Sequence, residues 1–332
     1  MIEIEGQHGG GQLLRTALSL SAATKKPFRI LNIRGKREES GIKPQHLAAI
    51  NAMKELCDAD VEGNFKGSHE LTFVPHAIEK KELVVDIGTA GSTTLVLQTI
   101  IPSCLDKEMN LIVRGGTDTL HCPGSHYFAN VFCDLLRKIG LNVDFDIRKY
   151  GFYPKGGGEV AMHIKPSRLG DIQLLKRGRI DLLHVTAVVS EELEERKVSE
   201  RLMHGFRSAL ATDVPLETTN LVVKTLSHGC FINCYFDCGS YRVGDDALGE
   251  RNVRAEDIGK ACALKVRSLL QADGVDHYAA DQLMVYMAIK GKGMVLASEI
   301  TDHVKTNAAV TERFLPVKFT FENNLINCGP VV

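Results

Sequence analysis

Residues 9–35 and 90–116 share a pattern: a glycine turn, an amphipathic helix, a short link, then a strand. The first reads GGGQLLRTALSLSAATKKPFRILNIRG and the second AGSTTLVLQTIIPSCLDKEMNLIVRGG. An offset of about eighty residues pairs Gly11 with Gly91, Leu20 with Ile100, Arg34 with Arg114 and Gly35 with Gly115. Similarity sustained over a helix and a strand points to a repeated α/β unit. A looser third copy begins at Tyr278, where YAADQLMVYMAIKGKGMVLASEI again orders helix, glycine link and strand.

The intervening chain fits such units. Leu47, Ile50, Met53 and Leu56 recur at helical spacing within Gln45 to Leu56. Glu70 to Val74, Glu82 to Ile87 and Leu141 to Ile147 read as strands. Tyr127 to Ile139 reads as a helix stopped by Gly140, and GFYPKGGGEVAMHI as a glycine turn leading into a strand. Composition changes near Arg177. From there the chain offers a strand (Leu182 to Val189), a charged helix (Glu191 to Ala211), a cysteine-bearing strand and a helix (Ala255 to Leu270). The expectation is therefore a mixed α/β (α+β) protein with sheets and helices in layers. Residues 1–178 and 274–332 form a large repeat-built domain, and residues 179–273 a smaller α/β domain inserted before the last repeat.

Charge and cysteine usage narrow the function. The formal net charge is −1, which disfavours a non-specific nucleic-acid coat but leaves room for an enzyme that grips a strand end. Glu3 and Glu5 interrupt the opening, no apolar h-region follows a basic stretch, and no run approaches membrane-spanning length. Nine scattered cysteines suit reduced thiols in the cytoplasm. Cys230, Cys234 and Cys238 recur every fourth residue, which on a strand places neighbours about 13 Å apart. One metal ion does not bridge that distance, so small side chains on one sheet face are the better reading.

Two glycine triplets stand out. Gly9–Gly10–Gly11 opens a helix, where free N–H groups favour an anion, although turn chemistry alone also explains it. Gly156–Gly157–Gly158 reads as a hairpin, with Lys155 beside it. Arg34, Lys36, Arg37 and Lys43 precede the helix near Pro44 and, with Arg15, make either a phosphate site or a solvated loop balanced by Glu38 and Glu39. His303, in ITDHVKTNAAVTERFLPV, has an imidazole suited to nucleophilic work near neutral pH. Local chemistry does not separate it from His8, His46, His121 or His126. The HCPGSH spacing of the last two is no recognised metal signature.

Taken together, GGGQLLRTALSLS, IRGKREESGIKPQHL, TAGSTTLVLQTIIP, RGGTD, GFYPKGGGEV, YAADQL and HVKTNAAVTERFL occur in the order found in RNA 3′-terminal phosphate cyclases, which the chain resembles. The resemblance runs from Met1 to about Lys318. It implies three βαβαββ-type repeats with a smaller α/β insert. It also implies an ATP-dependent reaction in which the HxxTN histidine, here His303, is adenylated, AMP passes to an RNA 3′-phosphate, and the 2′-hydroxyl closes a 2′,3′-cyclic phosphodiester. The family's ATP contacts fall on Gln98, Pro123, Tyr278, Ala279, Ala280, Asp281 and Gln282, with Pro123 and Tyr278 placed to sandwich adenine. Its basic cleft, where RNA phosphates or the ATP tail would sit, falls on Arg15, Arg34, Arg37, Gln45 and His46. A divalent cation, Mg²⁺ or Mn²⁺, is implied as well. The family loop GEGGGQ is replaced by GQHGGGQ, with His8 near the glutamate position, and Glu39–Ser40–Gly41 lacks the usual proline; the metal ligands therefore stay unassigned. Two rival classes are a non-catalytic cyclase-like ribosome-assembly factor, which has no need of the histidine, and an enolpyruvyl transferase, which shares the repeated architecture but lacks these segments.

Overall fold

The computed structural model describes residues 1–36 and 38–331. Arg37, one of the basic-cleft residues, lies outside the described residues, as does Val332.

β1 (Ile2–Glu5), α1 (Gly11–Thr24), β2 (Phe28–Leu31), α2 (Pro44–Leu56), β3 (Asp60–Glu62) and β4 (Leu71–Val74) build a sheet in the order β1-β2-β4-β3. β1 and β2 run parallel and the remaining pairs antiparallel. Parallel neighbours need a crossover, and α1 supplies it, with Leu13, Leu14, Ala17 and Leu18 among its buried residues. The next stretch holds β5 (Glu82–Asp86), α3 (Thr93–Ile100), β6 (Met109–Gly115), α4 (Ser125–Tyr127), α5 (Cys133–Lys138), β7 (Asn142–Lys149) and β8 (Gly158–Lys165). Its sheet is ordered β5-β6-β8-β7, again with one parallel pair followed by two antiparallel pairs.

After β9 (Gln173–Leu174) the chain leaves to make a separate sheet. This consists of β10 (Leu183–Ser190), α6 (Glu191–Glu194), α7 (Val198–Leu210), β11 (Leu216–Val223), β12 (Cys230–Asp237), β13 (Arg242–Leu248) and α8 (Ala255–Gln271). Its order is β11-β10-β12-β13. The chain then returns with α9 (His277–Lys290), β14 (Gly293–Leu296), α10 (Asp302–Phe314), β15 (Val317–Glu322) and β16 (Leu325–Pro330). These strands and β9 form β15-β16-β14-β9, with β9 and β14 parallel and the other pairs antiparallel. One strand order and one pattern of sense thus occur in three sheets of a mixed α/β protein. A continuous core of buried apolar side chains joins them.

Two expected helices are interrupted. Tyr127 to Ile139 contains a wider π-type stretch at Phe128–Phe132. Glu191 to Ala211 breaks between α6 and α7, because Glu194 turns back to accept hydrogen bonds from the Ser199 hydroxyl at 2.8 Å and amide at 3.4 Å. Lys197 takes a left-handed backbone at that break. Two strands fall outside the sequence expectation: β11, LETTNLVV, whose β-branched residues suit the half-exposed edge it forms, and β13, which reads RVGDDAL with a glycine and two aspartates and so carries little strand signal. All nine cysteines are buried and free of disulfides, and among the described residues no three His, Cys, Asp or Glu side chains gather to hold a metal. No described helix is long and apolar enough to cross a membrane.

Candidate active site

α1 starts without a side-chain cap and without an acidic residue in its first turn, so its leading N–H groups keep their partial positive charge. The glycine there has a steric reason. A Cβ on Gly11 would lie 2.1 Å from the His46 Nε2, so only glycine lets the start of α2 close onto the start of α1. His46 is buried, and its Nδ1 accepts a hydrogen bond from the Lys43 amide at 3.2 Å. Burial, then the charges of Arg15, Arg34 and Lys43, push its pKa down to about 3, so the ring is neutral at physiological pH. Arg34 has a left-handed backbone and donates to the Gly41 carbonyl at 3.3 Å. Gln45 is exposed in the first turn of α2. The basic segment is therefore folded against the glycine turn, with three cations around one uncharged imidazole.

Next to this cluster lies Asp281, on α9. Its Oδ1 accepts from the side-chain amides of Gln12, on α1, and Asn307, on α10. Asn307 also donates to the Asp281 carbonyl at 3.0 Å, and its own oxygen accepts from the Thr16 hydroxyl at 2.6 Å. Burial raises the Asp281 pKa to about 7 despite the opposing pull of Arg15, Gln12 and Asn307. Burial likewise lowers the pKa of Arg15, which the Asp281 charge partly restores. The second oxygen, Oδ2, faces the His303 Nδ1 at 3.8 Å. His303 stands in the first turn of α10, beyond the Thr301 cap, and its side chain is 60% exposed. A carboxyl with its inner oxygen fixed by two amides thus presents its outer oxygen to an accessible imidazole.

Beneath Asp281 is a small cleft of about 50 Å³ between α1, α3 and α9. Four buried polar atoms around it have no partner among the described residues: Ser19 Oγ, Gln98 Nε2, Gln282 Oε1 and Tyr286 OH. Buried donors and acceptors are costly to leave unmet, so this wall is built for ligand or water. Tyr278 lies one turn earlier on α9, packed edge-on against Tyr127 with ring centroids 5.3 Å apart. Pro123 is buried in the 117–125 loop, its carbonyl accepting from the Thr94 hydroxyl at 2.9 Å. The neighbouring Cys122 is within electrostatic range of both Arg15 and Tyr278, which sets this loop beside the cluster. Ala279 and Ala280 are fully buried, and both their amides donate to Asp276 at the cap of α9. They lie in the core, outside the lining of the cleft, and have no free donor.

The structure therefore gathers Arg15, Gln98, Asp281, Gln282 and His303, with His46 and Arg34 adjoining. Sequence reasoning does not single out Gln12, Thr16 or Asn307. Asn307 lies four residues after His303, which on a helix puts the two on one face. Gln12 directly follows the glycine triplet. The signal for both was position within the GGGQ and HVKTN segments rather than any chemistry of their own.

Comparison with known proteins gives this arrangement a context. A sequence profile described as RTC, RNA 3′-terminal phosphate cyclase, matches residues 6–321. An RNA 3′-terminal phosphate cyclase of Saccharolobus solfataricus is 39% identical over 326 residues, covering 96% of this chain and 95% of that protein. One from Sulfolobus acidocaldarius is 39% identical over 328 residues, 96% of each chain. One from Sulfurisphaera tokodaii is 36% identical over 330 residues, covering 96% and 95%.

Proposed function

This chain belongs to the RNA 3′-terminal phosphate cyclase family, and from that premise we propose that it uses ATP to convert an RNA 3′-phosphate into a 2′,3′-cyclic phosphodiester through an adenylate on His303. The observation that carries the reading is the pairing of an exposed His303 with the enclosed Asp281 carboxyl, 3.8 Å from Nδ1. When the ionised carboxylate accepts a hydrogen bond from Nδ1–H, this tautomer puts the nucleophilic lone pair on Nε2. Catalytic contacts are often long before substrate binds, and a small rotation of the exposed ring closes this one.

Three displacements follow. His303 Nε2 attacks the α-phosphorus of ATP; the N–P bond forms, the α–β bridging P–O bond breaks, and pyrophosphate leaves. The positive charge that develops on the imidazole is offset by the Asp281 carboxylate. An oxygen of the RNA 3′-phosphate then attacks the same phosphorus, and the N–P bond breaks. Finally the 2′-hydroxyl oxygen attacks the 3′-phosphorus and passes its proton to water; the 2′-O–P bond forms, the phosphoanhydride P–O bond breaks, and AMP departs. The last step is intramolecular, so proximity supplies much of its rate.

Arg15, Arg34 and the open N-terminus of α1 offset phosphate charge in this scheme. Pro123 and Tyr278 hold the base, Gln98 and Gln282 supply its polar partners from their unmet atoms, and the buried Ala279 and Ala280 anchor the start of α9 that carries Tyr278, Asp281 and Gln282. Gln45, at the exposed start of α2, and Arg37 complete the RNA side. A divalent cation would supply further positive charge to the ATP phosphates; no step above is routed through it. The buried, unpaired thiols fit a cytoplasmic setting.

The test is covalent labelling. Wild-type protein given α-labelled ATP and Mg²⁺ should acquire an acid-labile, alkali-stable label that chases onto a 3′-phosphorylated RNA. H303A should take none. An assembly factor would remain unlabelled, and label retained by H303A would rule out this histidine.

A further inference from the structure

The 117–125 loop, which carries Pro123, is held from both sides at one peptide bond. The carbonyl of Pro123 accepts from Thr94 on α3 at 2.9 Å, and the amide of Gly124 donates to Asp246 Oδ2 on β13 at 2.8 Å. With both polar ends of the 123–124 peptide fixed, its plane and the adjoining proline ring lose their freedom to rotate. Within the loop, Asp118 accepts from the Ser125 amide at 3.0 Å and hydroxyl at 2.9 Å, and from the Thr117 hydroxyl at 2.7 Å. A Cβ on Gly124 would lie 2.6 Å from Asp118 Oδ1 and 2.8 Å from Asp246 Oδ2. The backbone is thus clamped between two carboxylates, and only glycine fits the clamp.

Asp246 belongs to β11-β10-β12-β13, the fourth sheet, which departs from the shared strand order and which none of the chemistry above uses. Its neighbour Asp245 is buried, accepts from the Asp246 amide at 2.7 Å, and binds Lys265 of α8 at 3.0 Å. Lys265 also donates to the Asp246 carbonyl at 2.8 Å. On the other side, His277 Nδ1 stands 4.0 Å from Asp245 Oδ2, and its ring packs on Tyr278 with centroids 4.0 Å apart. The fourth sheet therefore reaches Pro123 through Asp246 and Tyr278 through Asp245 and His277.

We propose that the Asp245–Asp246 pair of the fourth sheet is a positioning device for the nucleotide base, with Asp246 fixing the Pro123 side of the seat and Asp245 the Tyr278 side. This rests on reading Pro123 and Tyr278 as that seat. Asp246 touches no substrate; it acts through the Gly124 amide.

The experiment compares D246A and D246N in the full-length protein. Loss of one charge-assisted hydrogen bond should raise KM for ATP about ten-fold in D246A, with kcat within about three-fold of wild type. The preference for ATP over UTP should shrink by a similar factor, while inhibition by inorganic tripolyphosphate, which has no base, should be unchanged. D246N keeps an acceptor oxygen and should restore the wild-type values. If D246A lowers kcat with KM unmoved, or weakens ATP and tripolyphosphate alike, the positioning role is wrong. Should D246A fail to fold, T94V removes the opposite restraint and must show the same split; an unchanged ATP/UTP ratio there sinks the idea. Calorimetric titration with ATP, UTP and tripolyphosphate reads the base seat without turnover. A wild type that forms no adenylate would thus overturn the catalytic reading, while the titrations would still decide the role of Asp246.

Discussion

Asp281 and Asp246 are a matched pair of enclosed acids. Burial is the chief cause that pushes each up to about 7. Their surroundings differ in sign. Asp281 has the Arg15 cation and two side-chain amides, all favouring its charge. Asp246 has Asp245 and Asp118 nearby, which oppose its charge, against one backbone amide and Lys265. Their outlets differ too: Asp281 turns an oxygen to an imidazole that is 60% exposed, whereas Asp246 turns one to a loop amide. A perturbed carboxyl marks a site only with an accessible reactive partner; without one, the same shift is what a structural clamp costs.

The largest expected effect separates them outright. D281A should slow single-turnover formation of the His303 adenylate by about 10³-fold at saturating ATP, and D281N nearly as much, because an amide does not select the ring tautomer as a carboxylate does. D246N should stay within about two-fold. Quench-flow with α-labelled ATP measures both, and equal losses would erase the distinction. A smaller effect tests the support. N307A removes one of two amides from Asp281 Oδ1 and should lower kcat by about 10- to 30-fold with KM for ATP little changed. Thr16→Val, one bond further out, should cost about three-fold.

The pH profile sharpens the contrast further. Asp281 must be ionised to take the His303 Nδ1–H, so the adenylation rate should rise with pH through about 7 and then level off. D281N should lose that limb, whereas D246N should retain it. His46 contributes nothing to this profile, since with its pKa pushed down to about 3 it stays neutral across the range.

Much of the site was legible in the residue string, and the boundary follows physical lines. The repeated glycine-helix-strand pattern located α1, α3 and α9, because the periodicity of buried faces is local information. His303 was legible only through the family segment around it; its own chemistry equalled that of the other histidines. Asp281 was found as part of a nucleotide motif, but its pairing with His303 depends on α9 lying against α10, which spacing does not encode. Asp246 was invisible for a different reason. β13 reads RVGDDAL, a composition that argues against a strand. Its carboxylates are held there by Lys265 and the Gly124 amide, partners distant in sequence. Local rules fail where tertiary contacts override propensity, and here that place is where the fourth sheet meets the 117–125 loop.

The smallest predicted difference is in stability, and its sign follows from the same pKa values. A carboxyl with a folded-state pKa near 7 and an unfolded value near 4 binds more protons when folded between those limits. Folding is therefore favoured below about pH 4, stability falls as pH rises to about 7, and the loss is constant above that. Asparagine removes the titration while keeping an acceptor. D246N should accordingly raise Tm at pH 8 by about 1–3 °C relative to wild type, corresponding to about 1 kcal/mol after relaxation of the site, and should give no gain at pH 4. D281N should gain less at pH 8, because Arg15 stabilises the charge that the substitution deletes. Differential scanning fluorimetry of the three proteins at both pH values resolves the ordering. If D281N gains as much as D246N, Arg15 is not offsetting the Asp281 charge, and the electrostatic difference between the two acids disappears.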